Sequence, residues 1–218
     1  MLKDDNPIFQ FQGPWGVPIQ IGASIILLPL ILVSFNGSPE AMMFDLIFVT
    51  LLIGSILAHE LGHAWGSLIQ NVRVRRIMLH GGGGFCEHSA STTRYEDELI
   101  VAMGPIVNLV IWAVASLAEP YFQPGYLSWS IYYLAQINLF LALFNLLPVM
   151  PLDGGKLFQL LLMRFLPSVT ATQISGWVGV VLAVLWVPLM LFVYMSMGFV
   201  LFFFPPIKMH WQMATASR

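Results

Sequence analysis

Charge is the scarcest property of this sequence: only 9% of its 218 residues are Asp, Glu, Lys or Arg, against about a quarter in an ordinary soluble domain. That scarcity excludes a water-soluble fold of ordinary composition. The net charge is -2 and no run of Lys or Arg forms a basic cluster, so nothing points to a nucleic-acid partner. Cysteine is almost absent. The single Cys86 cannot form an internal disulfide and is read as a free thiol, and it marks no oxidising compartment. The first sixteen residues carry Asp4 and Asp5 but no basic segment leading into a short apolar core with a small-residue cleavage site, so no cleaved signal peptide is expected. Internal repeats and low-complexity linkers are missing as well.

Apolar residues are what the chain has instead, at 58% of the total and spread along its length, so residues 1–218 are expected to form a single membrane-embedded domain. A helix needs about 20 apolar residues to cross about 30 Å of hydrocarbon. Four stretches meet that length: Val17 to Phe35, about Ala41 to Ile69, about Leu99 to Ala118 and about Leu127 to Val149. Ala171 to Phe204 is too long for one upright crossing and barely enough for two, with Pro188 and Gly198 as candidate breakpoints. Between the second and third stretches, Val72 to Arg94 holds Gly81-Gly82-Gly83-Gly84 beside Val72, Val74, Ile77 and Leu79. Four glycines would each cost about 1 kcal/mol in a helix, so this segment reads as an extended hairpin. The expected fold is an all-α polytopic membrane protein of six spans with a small glycine-rich re-entrant β-hairpin between spans two and three. Six spans place Lys3, Arg73, Arg75, Arg76, Arg94, Lys156, Arg164, Lys208 and Arg218 on one side. The positive-inside rule then makes both termini cytoplasmic, whereas five spans would carry Lys208 and Arg218 across.

Inside the second span stand His59, Glu60 and His63. Residues four apart on a helix share a face, so both imidazoles can reach one metal ion, and Glu60 beside the first can take a proton from a metal-bound water. Zinc suits a histidine-rich set and a water with a pKa of about 7. Ionisable residues at membrane depth are costly and usually functional; the competing reading, two histidines bonded to other polar side chains in a bundle, gives Glu60 no purpose. A catalytic zinc usually takes three protein ligands. Ile69 occupies the position where an extended motif would carry a third histidine, leaving His80, Glu87, His88, Glu96, Asp97, Glu98 and Asp153 as candidates. Span two runs inward, placing His59 about 20 Å or more from the outer surface, in the cytoplasmic half. Span four also runs inward, and Asn145-Leu146-Leu147-Pro148-Val149-Met150-Pro151-Leu152-Asp153-Gly154-Gly155 follows it, which brings Asp153 to nearly the same depth. The alternative is that Asp153 caps the amphipathic stretch Lys156 to Leu166.

These motifs, with Gly104-Pro105-Ile106-Val107-Asn108, resemble the site-2 protease family of intramembrane zinc metalloproteases. They occur in the family's order over roughly residues 50–160, within a catalytic core of about 41–166. The resemblance implies that Asp153 is the third zinc ligand, that Asn145 helps hold the substrate backbone or the developing oxyanion, and that the strand carrying Gly81 to Gly84 lies beside the substrate. A glycine edge would let an unwound substrate pair its backbone closely, as in strand addition, although these glycines could instead form only a flexible loop. Asn108 is a candidate substrate-side residue that could also bond across to the metal helix or serve as interhelical glue. The implied activity is hydrolysis of a peptide bond in or near a transmembrane segment, as in regulated intramembrane proteolysis, with one Zn²⁺ per chain and a substrate expected to be single-span. A homo-oligomer is left open. Neither the PDZ insertion nor the CBS extension common in the family is present, so the chain reads as a minimal member. The alternatives are a non-proteolytic adaptor of the same fold and a zinc hydrolase of lipidated substrates.

Overall fold

The structure is a computed structural model that describes residues 5–89, 92–197 and 203–217. It divides into two compact units, 1–143 and 144–218. Among the described residues, four helices are long and apolar enough to cross a membrane.

Three of the four belong wholly or almost wholly to the first unit: α2 (Pro39–Leu68), α3 (Arg94–Ala118) and α4 (Tyr126–Asn145), whose last two residues pass into the second. Their starts are set by local chemistry. Ser38 caps α2 by accepting from the Ala41 amide, and Pro39 follows where its missing N–H costs nothing. Thr93 and Glu96 form a capping box at the head of α3. Helices α2 and α3 approach closely because α2 presents glycine where they meet. A Cβ on Gly62 would sit 2.6 Å from the Met103 carbonyl oxygen, and one on Gly66 would sit 2.8 Å from Met103 Cγ and 3.1 Å from Ile100 Cα. Small residues at such contacts are the usual route to tight packing where lipid offers no hydrophobic drive.

The first stretch departs from expectation. Val17 to Phe35 is not a spanning helix: it forms β2 (Pro18–Gly22), a 3-10 turn and a six-residue α1 (Leu27–Leu32). The sequence Pro-Ile-Gln-Ile-Gly alternates with the period of a strand, and Ile19 is buried while Gln20 bonds outward to Gln10 and Arg76. Together with β1 (Pro7–Gln12), β3 (Val74–His80) and β4 (Gly83–His88) it builds a four-stranded sheet in the order β1-β2-β3-β4, so the expected all-α fold is corrected to a mostly helical one with a sheet. The β2–β3 pair is parallel and its neighbours antiparallel. Val17, Ile19, Val74, Ile77 and Leu79 pack on Ala64 of α2, with Ile53, Ile56, Leu57, Leu61 and Leu68 around them. Ser24 ties the end of β2 to the β3–β4 turn, accepting from the Gly81 amide at 2.8 Å and donating to Asp5 at 2.5 Å. The expected hairpin between spans two and three is thus β3 and β4, in the company of two further strands.

In the second unit, α5 (Asp153–Leu162) is followed by α6 (Ser168–Met197), one 30-residue helix that passes Pro188 without a break. It covers most of the region where two spans are expected; Gly198 lies outside the described residues. An interior proline is tolerated in an apolar helix when neighbouring groups satisfy the freed carbonyl. The chain does return along α6, but as an extended segment and the short α7 (Ile207–Ala214). Trp186 donates to the Phe203 carbonyl, and Gln173 donates to that of Ala216. Where six spans are expected, the described residues hold four helices of spanning length, and the return, an extended segment and α7, brings Lys208 back along α6 towards its N-terminal half. Replacing Gly66 by leucine should wedge α2 from α3 and cost about 1–3 kcal/mol, read as a lowered unfolding temperature of the detergent-solubilised protein; an unchanged value would refute the close approach.

Candidate metal centre

His59, Glu60 and His63 all lie buried in the C-terminal half of α2. One helical turn separates the histidines, and their Nε2 atoms stand 3.1 Å apart. Each ring's other nitrogen already has a partner on α3. His63 Nδ1 is 2.8 Å from the Ile100 carbonyl oxygen, and His59 Nδ1 is 2.6 Å from Asn108 Oδ1. Both partners accept, so each Nδ1 carries the ring proton and each Nε2 presents a lone pair. Two buried lone pairs pointed at one another repel, and a shared cation turns that contact into binding. On a tetrahedral zinc, two imidazole nitrogens would lie about 3.3 Å apart, close to the spacing seen.

The space for an ion is kept by an absence on α3. A Cβ on Gly104 would sit 2.5 Å from His63 Cε1 and Nε2 and 2.7 Å from His59 Nε2. Sequence alone suggests this glycine as a point of close helix approach; the structure shows that it also faces both Nε2 atoms.

On the sheet side, Gly84 of β4 lies against Glu60. A side chain there would meet Glu60 Cγ at 2.8 Å and Oε1 at 3.0 Å. The four glycines divide their labour. Gly81 and Gly82 make the turn, with the Gly82 amide donating to His80 Nδ1. Gly83 adopts a φ of +126°, which disfavours any side chain, and Gly84 alone touches the carboxylate side chain. Cys86, on the same strand, has its thiol pushed up to about 12 by burial, with the Glu60 charge adding to the effect; it remains a protonated thiol at neutral pH.

Comparison with known proteins gives this arrangement a family. The profile described as Peptidase family M50 matches residues 47–125 and 113–186. The chain belongs to peptidase family M50. It is 27% identical over 187 residues to zinc metalloprotease MJ0392 of Methanocaldococcus jannaschii, covering 85% of this chain and 54% of that one. It is 32% identical over 127 residues to stage IV sporulation protein FB of Bacillus subtilis, covering 55% and 42%. The chain thus spans about half the length of these relatives. The solved site-2 protease from Methanocaldococcus jannaschii shares its fold, with a TM-score of 0.64 over 96% of each chain at 23% identity.

The remaining candidates of this M50 chain fall as follows. Asn145 ends α4, and Asp153 opens α5 in the second unit. The cap position of α5 is Leu152, so Asp153 is its first helical residue and not the cap; a carboxylate there gains from the helix dipole. Gly154 and Gly155 let α5 tuck beneath the preceding segment, since a Cβ on Gly155 would meet the Met150 amide nitrogen at 2.5 Å. Glu87 is held by Arg75 and Arg76, which keep its carboxyl below its ordinary range. Glu96 serves the α3 capping box, and Asp97 accepts from Thr92. Two features are not singled out by the sequence reading. His210 of α7, fully buried, reaches the Met150 carbonyl at 3.2 Å and fits only because residue 179 is glycine. Ser55 of α2 accepts from Asn138 of α4 at 2.9 Å; a lone Asn in an apolar span signals a polar contact without naming its partner. Gly104→Ala should fill the space between the Nε2 atoms and abolish metal retention through purification, measured by elemental analysis. Full retention would show that the ion sits elsewhere.

Proposed function

We propose that this chain is an intramembrane zinc metalloprotease that hydrolyses a peptide bond within or beside a transmembrane segment of another membrane protein. The observation that carries the reading is the pair of histidine Nε2 atoms converging at 3.1 Å with Glu60 adjacent, on a helix of spanning length. His59 and His63 hold the ion, and Asp153 supplies the third ligand. Support for Asp153 comes from the sequence, in which spans two and four run in the same direction so that a residue just past span four is expected near the depth of the histidines, and from the family resemblance. Both units belong to one protease domain. Zinc, when bound, acts as a Lewis acid that polarises the scissile carbonyl and makes water a nucleophile near neutral pH.

The chain's own residues do the rest. Glu60 accepts a proton from the attacking water and delivers it to the leaving amide nitrogen as the C–N bond breaks. Asn145 donates from its side-chain amide to the oxygen that gains charge. The outer edge of β4 takes the unwound substrate as an added strand, with Gly84 leaving room for its backbone beside Glu60. Asn108 acts on this chemistry through His59. The placement of Lys and Arg supports cytoplasmic termini and a site in the cytoplasmic half of the bilayer, with the hairpin entering from that side.

The test is cleavage of single-span substrates by purified protein in lipid. Glu60→Gln should keep its zinc and lose cleavage by about 10²–10⁴-fold. A wild type that binds zinc, cuts no spanning segment and hydrolyses a lipidated peptide would refute the protease reading in favour of that substrate class. Binding of spanning segments with no hydrolysis of any kind would favour an adaptor. Independently, Asp153→Ala should lower zinc occupancy well below one ion per chain; full occupancy would move the third ligand elsewhere.

A further inference from the structure

Behind His59 runs a chain of buried amides that crosses three helices. Asn108 of α3, Asn138 of α4 and Ser55 of α2 are each 2% exposed or less. Asn138 Nδ2 donates to the Leu134 carbonyl at 2.8 Å and to Ser55 Oγ at 2.9 Å. Asn108 Nδ2 donates to Asn138 Oδ1 at 2.7 Å and towards the Ser55 carbonyl at 3.4 Å, and Asn108 Oδ1 faces His59 Nδ1 at 2.6 Å.

This chain has only one consistent direction. A backbone carbonyl can accept and cannot donate, and inside a helix it cannot turn around. The Leu134 carbonyl therefore fixes the nitrogen of Asn138 on its own side and leaves Asn138 Oδ1 facing Asn108. That oxygen demands a nitrogen from Asn108, and the Ser55 carbonyl demands the same one. Asn108 must then show its oxygen to His59, which forces the ring proton onto Nδ1 and leaves the lone pair on Nε2. Flipping either amide opposes two acceptors in a buried site, at about 1–3 kcal/mol for each group left unsatisfied.

We propose that Asn138, which does not touch His59, is a positioning residue for the metal ligand: through Asn108 it holds His59 in the single tautomer able to bind the ion. Without it the Asn108 amide can rotate, and His59 populates the tautomer with its proton on Nε2. The inference rests on the reading of His59 as a zinc ligand, and partners of this kind typically carry a 10–100-fold effect on metal affinity.

The test uses the full chain in detergent. Asn138→Leu should weaken zinc binding by about 10–100-fold in chelator competition. In the zinc-free protein, the ¹⁵N signals of His59 should change from Nδ1–H alone to a mixture of tautomers. The deciding variant is Asn138→Asp: as a carboxylic acid its O–H can donate to the Leu134 carbonyl while its other oxygen still accepts from Asn108 Nδ2, so it should keep affinity within a few-fold of wild type together with the single tautomer. Unchanged affinity in Asn138→Leu, a retained single tautomer in that variant, or loss of the single tautomer in Asn138→Asp would each overturn the proposal. If Asn138→Leu does not fold, Asn138→Ser takes its place with the same readings. A wild type that holds no zinc would defeat the protease reading, while the zinc-free tautomer signal would still decide this one.

Discussion

Two imidazole nitrogens face each other 3.1 Å apart within a packed set of apolar helices, and much of the first unit is arranged to make that contact useful. With both Nδ1 atoms committed to acceptors on α3, the facing nitrogens have only lone pairs to offer. Water would normally relieve such a contact by donating to one of them. In a desolvated site a divalent cation does so more strongly, because attraction to charge is weakly screened there. The contact requires that α3 come close, and Gly62, Gly66 and Gly104 each remove a side chain that would prevent it.

The sheet meets the same helix from another direction. Ile19, Ile77 and Leu79 pack around Ala64, and this fixes β4 so that Gly84 lies on the Glu60 side chain. A helix thus contributes the paired histidines and Glu60, and a strand edge contributes backbone beside them, which suits the proposed hydrolysis of a peptide whose own hydrogen bonds must first be broken. Within the second unit the glycine pair after Asp153 and the His210 contact to Met150 brace the turn from which Asp153 emerges. Bracing of this kind suits the ligand role proposed for Asp153, since small displacements of a coordinating group weaken metal binding.

Much of this was legible in order along the chain. The spacing of His59, Glu60 and His63 survives any error in span boundaries, because it depends only on helical periodicity. The glycine run announced extended backbone, and β3 and β4 are where it placed them. Span counting matches α2, α3 and α4, each a helix of spanning length where an apolar stretch predicts one. It failed at Val17 to Phe35, because apolar length was weighed above the alternation Pro18-Ile19-Gln20-Ile21-Gly22, and because the strand that β2 pairs with in parallel lies more than fifty residues away. It failed again after Ala171, where segment length and the placement of Lys208 and Arg218 favour two crossings; α6 instead runs as one 30-residue helix through Pro188.

What the sequence alone determined about this protein is the identity and spacing of its reactive groups, since helical periodicity brings residues four apart onto one face whatever surrounds them. Which nitrogen of each histidine meets an acceptor on α3, why residue 104 is glycine, and how Asn138 on a distant helix bears on His59 were decided only by tertiary structure. The reason is physical: tautomer, amide direction and the space for an ion are properties of pairs of groups, and the partners here lie 30 to 83 residues apart in the chain.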